Sequence, residues 1–266
     1  MKRLLCLLSA AAALLTAGCG SRSAPEPPEP LSVSMEATAV MGRSYVPEVL
    51  LPKAVTPMEQ GGKDNLWRAA ETAGGEAALY NLDSASGAVL VQWEGSLAML
   101  DGWYFRTPQC VPPSLRLLDW DGDGTPEILA AVLYTGSGTG VSIEQLHLLT
   151  RDAHGSLMDS PLPEALYSQR LAELMTVKTR KRTGSVSIGN VSLSLPDAGV
   201  PYTGGPDLGS IVSYHFDTEG RLTMELGLGM EVKDQALPQY VGKVLCGVEF
   251  DSASETYTLT DFALQG

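Results

Sequence analysis

The chain is poor in the residues that most enzymes need. Among 266 residues there are three histidines, four cysteines, four tryptophans and four phenylalanines, and aromatic side chains make up 6%. The histidines, His147, His154 and His215, stand alone, and no His-Glu-x-x-His occurs, so a zincin lacks its signature. No Gly-x-Ser-x-Gly or Ser-x-x-Lys is present, so serine acylation lacks one too. No Cys-x-x-Cys exists to make a zinc knuckle or a dithiol redox pair. Positive charge is also short: 18 Lys and Arg face 31 Asp and Glu, for a net charge of −13. Such a surface repels nucleic acid at long range, and no nucleic-acid partner is expected. No apolar run, Leu4 to Leu15 included, is long enough to span a bilayer as a helix.

Acid at regular spacing is abundant in one place. Asp119-Trp120-Asp121-Gly122-Asp123-Gly124-Thr125-Pro126-Glu127 sets four carboxylates at loop positions 1, 3, 5 and 9. Alternation turns the acidic side chains to one side of a tight loop. Gly122 and Gly124 permit the positive φ that such a loop requires. Oxygen ligands at this density suit Ca²⁺. The expected ligands are Asp119, Asp121, Asp123 and Glu127 by side chain and Thr125 by its backbone carbonyl. The loop is not an EF-hand, because position 12 is Ala130 where an EF-hand has a bidentate glutamate. Its flanks, Leu115 to Leu118 and Ile128 to Tyr134, have the length and apolarity of strands. Without a cation, the same residues would make an acidic β-turn.

The pattern Asp-x-Asp-Gly-Asp-Gly-x-x-Glu between two strands resembles the calcium loop of FG-GAP/VCBS-type repeats. The run that follows, Tyr134 to His147 with its glycines 136, 138 and 140, resembles one found after that loop in lipoproteins of Gram-positive gut bacteria. The likeness covers roughly Ala77 to Asp152. It implies a calcium-stabilised module outside the cytoplasm and no particular activity. A single copy of the loop is present, whereas a propeller needs several repeated blades, so a complete propeller is not expected.

The N-terminus reads as an export signal. Lys2 and Arg3 precede a short apolar core, Leu4 to Leu15, and Leu14-Leu15-Thr16-Ala17-Gly18-Cys19 resembles a bacterial lipobox. Residues 1–18 are then a lipoprotein signal peptide, and Cys19 is the expected lipidation site, anchoring the protein to the outer side of the cell membrane. Ordinary secretion with cleavage nearby is the plainer reading of the same leader. Residues 19–31 form a Pro-rich tether. Cys110 and Cys246 remain in the mature chain. They are either a disulfide, which would close a long loop worth about 4–5 kcal/mol in the chain-entropy model, or two buried thiols.

Residues 32–76 read as a partly ordered lead-in, with a short helix over Asp64–Ala73 stopped by Gly74-Gly75. Residues 77–266 read as a β-rich calcium-loop domain, divisible into 77–176 and 177–266. Short strands are expected at Ala77–Tyr80, Ala88–Trp93, Ser96–Leu100 and Trp103–Phe105. The Gly-rich stretch 136–140 is read as a hairpin turn or bulge, with an anion cradle as the alternative. The best helix spans Pro161–Thr176, capped by Ser160, with Leu166, Leu171, Leu174 and Met175 as its apolar stripe. The basic run Lys178 to Arg182 is a solvated strand ending in a Thr183-Gly184 turn, or a patch for an anionic ligand such as a cell-wall polymer. Pro196–Pro206 reads as a linker, and a meander of four strands follows.

The expected fold class is therefore mainly β (α+β), with antiparallel sheets, a meander and one covering helix. The expected function is a non-enzymatic, membrane-anchored binding module with a structural Ca²⁺ and an unidentified protein or glycan ligand. The alternative is a cell-wall or glycan hydrolase, which requires an acidic cleft around Asp121 or the meander. Glu225 and Glu231 are an acid pair for such a cleft, and Trp67, Trp93, Trp103 and Trp120 are either core residues or a sugar-binding face.

Overall fold

The computed structural model describes residues 67–83, 87–104 and 111–266. The leader, Cys19, the tether, most of the lead-in and Cys110 lie outside the described residues. What is described is mostly β, in three sheets, with none closed into a barrel or propeller.

The first sheet has four antiparallel strands in chain order: β1 (Trp67–Glu71), β2 (Ala77–Asp83), β3 (Ala88–Trp93) and β4 (Ser96–Leu100). The helix expected over Asp64–Ala73 is corrected from Trp67 onward, where the described residues Trp67–Glu71 form strand β1. Ala69 and Ala70 are both buried, across a register shift between Arg68 and Ala70. Tertiary burial overrides the weak helix preference of such an alanine pair. The supposed helix stop at Gly74-Gly75 is the β1–β2 turn, with Gly75 at φ 79° and the Thr72 hydroxyl accepting from Ala77 N–H at 3.0 Å.

The large sheet has nine strands. It is built from β5 (Ser114–Leu118), β6 (Ile128–Gly138), β7 (Val141–Arg151), β8 (Leu157–Pro161), β12 (Tyr202–Asp207), β13 (Ile211–Phe216), β14 (Leu222–Val232), β15 (Gln239–Asp251) and β16 (Thr256–Gln265). Its path runs β16-β15-β14-β13-β7-β6-β5, with β12 beside β14 and β8 beside β7. The one parallel seam is β13 against β7, with Ile211 opposite Ser142. Strand β6 is buried on both faces. Ala130 and Val132 join one apolar cluster, while Leu129, Ala131 and Leu133 join another under the four-stranded sheet. That double burial is why its sequence reads as an unbroken apolar run rather than an alternation. The Gly-rich stretch is a hairpin: β6 and β7 pair out to Gly138 and Val141, with a register shift at Tyr134/Gly136.

The first cluster is roofed by helix α1 (Glu164–Leu174) and a three-stranded sheet of β9 (Met175–Arg180), β10 (Thr183–Ile188) and β11 (Val191–Leu195). The helix is three residues shorter at its start than the sequence reading. Pro161 closes β8, the N-cap is Pro163 in an extended conformation, and no side chain caps it. A residue before proline is pushed out of the helical region, so Leu162 cannot start a helix. Ser160 lies in β8 instead of capping. Tyr167 and Leu171 supply the buried side of α1, while Leu166, Leu174 and Met175 pack at its margin. Three further boundaries move. Trp103 and Tyr104 are not in a strand. The basic hairpin turns at Lys181-Arg182 rather than Thr183-Gly184. The expected linker 196–206 contributes most of β12, whose Tyr202 pairs with Val232.

Candidate metal centre

The acidic loop joins β5 to β6 at the edge of the large sheet. Leu118 pairs with Ile128, and Glu127 N–H donates to Leu118 O at 3.2 Å, so residues 119–127 form a closed turn on a hairpin base. Gly122 (φ 78°) and Gly124 (φ 95°) both take the left-handed conformation that the spacing predicts.

The loop's N–H groups point at its own carboxylates. Asp119 accepts from Gly122 N–H through Oδ1 and from Gly124 N–H through Oδ2, both at 2.9 Å. Asp121 accepts from Asp123 N–H at 3.0 Å, and Asp123 from Thr125 N–H at 2.7 Å. Glu127 reaches back across the turn, where its Oε1 accepts from Trp120 N–H at 2.6 Å. These bonds fix the acids without neutralising them.

Asp119, Asp121 and Glu127 bring one carboxylate oxygen each within 4.8 Å of one another, a group that could hold a metal ion. Asp123 is not part of that group, and Thr125 enters the loop through its N–H. Even in bulk water, two unit charges at such a distance repel by about 1 kcal/mol, and a divalent cation between them reverses the sign. Glu127 Oε2 is buried and has no hydrogen-bond partner among the described residues. A buried, unpaired carboxylate oxygen is costly, and a cation is a partner that fits it. Oxygen-only donors on an exposed loop suit a hard ion.

The other candidates do not assemble a reaction centre. Trp93 and Trp103 are 1% exposed, and Trp120 packs against the core, so these three make no exposed sugar-binding face. Glu225 and Glu231 lie six residues apart on β14, about 20 Å along a strand. That is too far for paired glycosidic carboxylates, and Glu225 is held by Lys243 Nζ at 2.8 Å. His215 Nε2 lies 3.3 Å from Ser213 Oγ and 3.9 Å from Glu225 Oε2. A serine relay needs the acid on the opposite ring nitrogen, so these three residues do not form one.

The sequence reading missed one cluster. His147 on β7 is 2% exposed, and its Nδ1 lies 3.0 Å from each oxygen of Asp159 on β8. The indole N–H of Trp103 donates to Asp159 Oδ2 at 2.7 Å, and its ring packs, tilted by 36°, with its centroid 4.3 Å from that of the imidazole. The cluster ties β7, β8 and the segment after β4 beneath the four-stranded sheet. No local pattern announces it, because Trp103 and Asp159 are 56 residues apart.

Cys246 forms no disulfide among the described residues and is 1% exposed, in the core of β15. Burial pushes its pKa up to about 12. Its suggested partner Cys110 falls outside the described residues.

No family model, curated protein or solved structure matches this chain.

Proposed function

We propose that this chain is an exported, membrane-anchored binding module whose acidic loop carries a structural Ca²⁺. The observation that carries the calcium reading is the convergence of Asp119, Asp121 and Glu127, with the buried Glu127 Oε2 lacking a partner among the described residues. The ion would hold the β5–β6 turn against the edge of the large sheet, and Asp123 and the Thr125 carbonyl would complete the shell. The lipobox-like Leu14 to Cys19 supports export and lipidation at Cys19. The resemblance to the FG-GAP/VCBS loop supports a site filled at extracellular calcium, in the range of about 10⁻⁴–10⁻³ M.

Thermal unfolding of the full chain with calcium and with chelator tests the metal reading. A calcium-dependent rise in Tm that Asp121→Ala abolishes is expected. Equal melting in both conditions would leave the loop as a plain acidic turn. Incorporation of radiolabelled palmitate during bacterial expression, lost in Cys19→Ala, tests the anchor separately.

A hydrolase is the second reading, favoured by one feature. An open groove beside the β14–β15 connection is lined by Asp207, Glu231 and Asp234. Asp207 is occupied by Gly209 N–H at 3.2 Å and Ser210 Oγ at 2.7 Å. Loss of glycan-cleaving activity in Glu231→Gln would favour that reading over a binding module.

A further inference from the structure

The three-stranded sheet has two faces of opposite chemistry. Its inner face is Met175, Val177, Val186, Ile188, Leu193 and Leu195, all packed in or against the large apolar cluster. Its outer face follows from the register. Thr176, Lys178 and Arg180 of β9 stand opposite Ser187, Ser185 and Thr183 of β10, which in turn bring Ser192 and Ser194 of β11 alongside Ser187 and Ser185. All eight outer residues are hydroxyl or cationic. None is a carboxylate, in a chain with 31 of them. Six of the eight are exposed and the two central serines half-buried.

The cations on this hairpin are unspent. Arg182 is taken up by Asp197, through Nε at 2.7 Å and Nη2 at 2.5 Å. Lys178, Arg180 and Lys181 make no ion pair among the described residues. Arg116 and Lys233 are the other described Lys and Arg without one, and Arg116 is held by the Asp217 carbonyl at 3.0 Å and the Phe216 ring. Lys178 and Arg180 protrude from the same side of β9, about 7 Å apart. Lysines on an edge strand guard it against strand addition. That role explains a charge on β9, but it does not require the neighbouring rows to be hydroxyls.

We propose that this face binds a linear phosphodiester polymer. Phosphate oxygens would lie along the Lys178, Arg180 and Lys181 row, with the Ser and Thr hydroxyls donating to phosphates and to the polymer's own hydroxyls. Charge complementarity selects a polyanion. The chain's net negative charge selects a thin one. A flat anionic membrane would bring many surface acids within a Debye length, roughly 8–10 Å, whereas a single polymer strand meets only the basic row. No aromatic side chain stands on this face to stack bases, which disfavours single-stranded nucleic acid. The site is separate from the acidic loop and does not depend on the calcium reading.

The test titrates the full chain with a short poly(glycerol phosphate), with EDTA present so that calcium cannot bridge the polymer to the acidic loop. The comparison set is the combined Lys178→Ala, Arg180→Ala, Lys181→Ala variant, Lys233→Ala, an oligothymidylate, and vesicles containing one-third phosphatidylglycerol. Circular dichroism confirms that each variant is folded. With three phosphates engaged, affinity should fall about 100-fold between about 20 and about 200 mM salt. The triple variant should lose at least tenfold, and Lys233→Ala should behave as the unmodified chain. The proposal is overturned if the polymer does not bind at low salt, or if the folded triple variant binds equally well. It is also overturned if Lys233→Ala loses as much as the triple variant, or if vesicles or the oligothymidylate bind in preference to the polymer.

Discussion

Glu127 Oε1 receives the main-chain N–H of Trp120 at 2.6 Å, from across the turn that the two residues bracket. One carboxylate therefore has two tasks. Oε1 closes the loop, Oε2 is buried without a partner among the described residues, and the carboxylate as a whole converges with Asp119 and Asp121. The loop is shaped by its own hydrogen bonds before any ion arrives, so calcium should add stability to an already formed turn.

Glu127→Gln separates the two tasks. Its amide oxygen can still accept from Trp120, so stability in chelator should change by less than about 1 kcal/mol. The charge is lost, so calcium affinity should fall at least tenfold by isothermal titration. For the unmodified chain, calcium at several times Kd adds about 1–2 kcal/mol, a rise of a few degrees in Tm for a domain of this size. If Glu127→Gln binds calcium as tightly as the unmodified chain, Glu127 is not a ligand.

Asp159 is predicted to matter more to stability than an exposed aspartate would. It accepts from the Trp103 indole and faces His147 Nδ1, both on buried side chains. Asp159→Ala would strand two buried polar groups, at about 1–3 kcal/mol each. Urea denaturation followed by tryptophan fluorescence should show a loss of about 2–4 kcal/mol. Asp159→Asn keeps an acceptor for Trp103 and should lose less. Equal stability of Asp159→Ala would mean that the cluster is not a tie between β7 and β8.

Much of this fold is legible in the sequence where one local signal decides. Strands β3 and β4 are bounded by turn residues and sit where the sequence places them. The acid spacing of 119–127 predicts both the turn and its positive-φ glycines. Most of the differences share a cause: a distant partner decides. Ala69 and Ala70 are strand because β2 and the apolar cluster lie against them. Tyr202 to Asp207 is a strand because β14 offers an edge, although its Gly-Gly-Pro composition argues for a linker. The parallel β13–β7 seam joins Ile211 to Ser142 with no composition to mark it. The later helix start has a local reason: two prolines in three residues, Pro161 and Pro163, outweigh a capping serine.

Tyr257 offers a test of how β16 is tied to β8. Its hydroxyl donates to Ser160 O on β8, and its ring packs at 4.8 Å on Phe250. Burial, with Asp159 nearby, pushes its pKa upward. Tyr257→Phe keeps the ring contact and leaves a carbonyl without this donor, so a loss of about 1–2 kcal/mol is expected. Tyr257 is half-buried against the core, so Tyr257→Ala should lose about 2–4 kcal/mol, less than a fully buried aromatic. If the two variants destabilise equally, the hydroxyl carries the whole effect and the ring packing none.

Cys246 carries the clearest pH prediction. Its thiol is 1% exposed, and desolvation raises its pKa from about 9 to about 12. The folded state therefore disfavours the thiolate. This contribution to stability is intact below pH 9 and is lost as the pH rises towards 12. The thiolate is the reacting species in alkylation, so at pH 8 iodoacetamide should leave Cys246 unmodified in the folded chain and modify it fully in denaturant without reductant. Peptide mapping by mass spectrometry reads both states. Protection that persists in denaturant until a reductant is added would reveal a Cys110–Cys246 disulfide, the other pairing state that the sequence leaves open. Alkylation of the folded chain would mean that β15 is not packed as described.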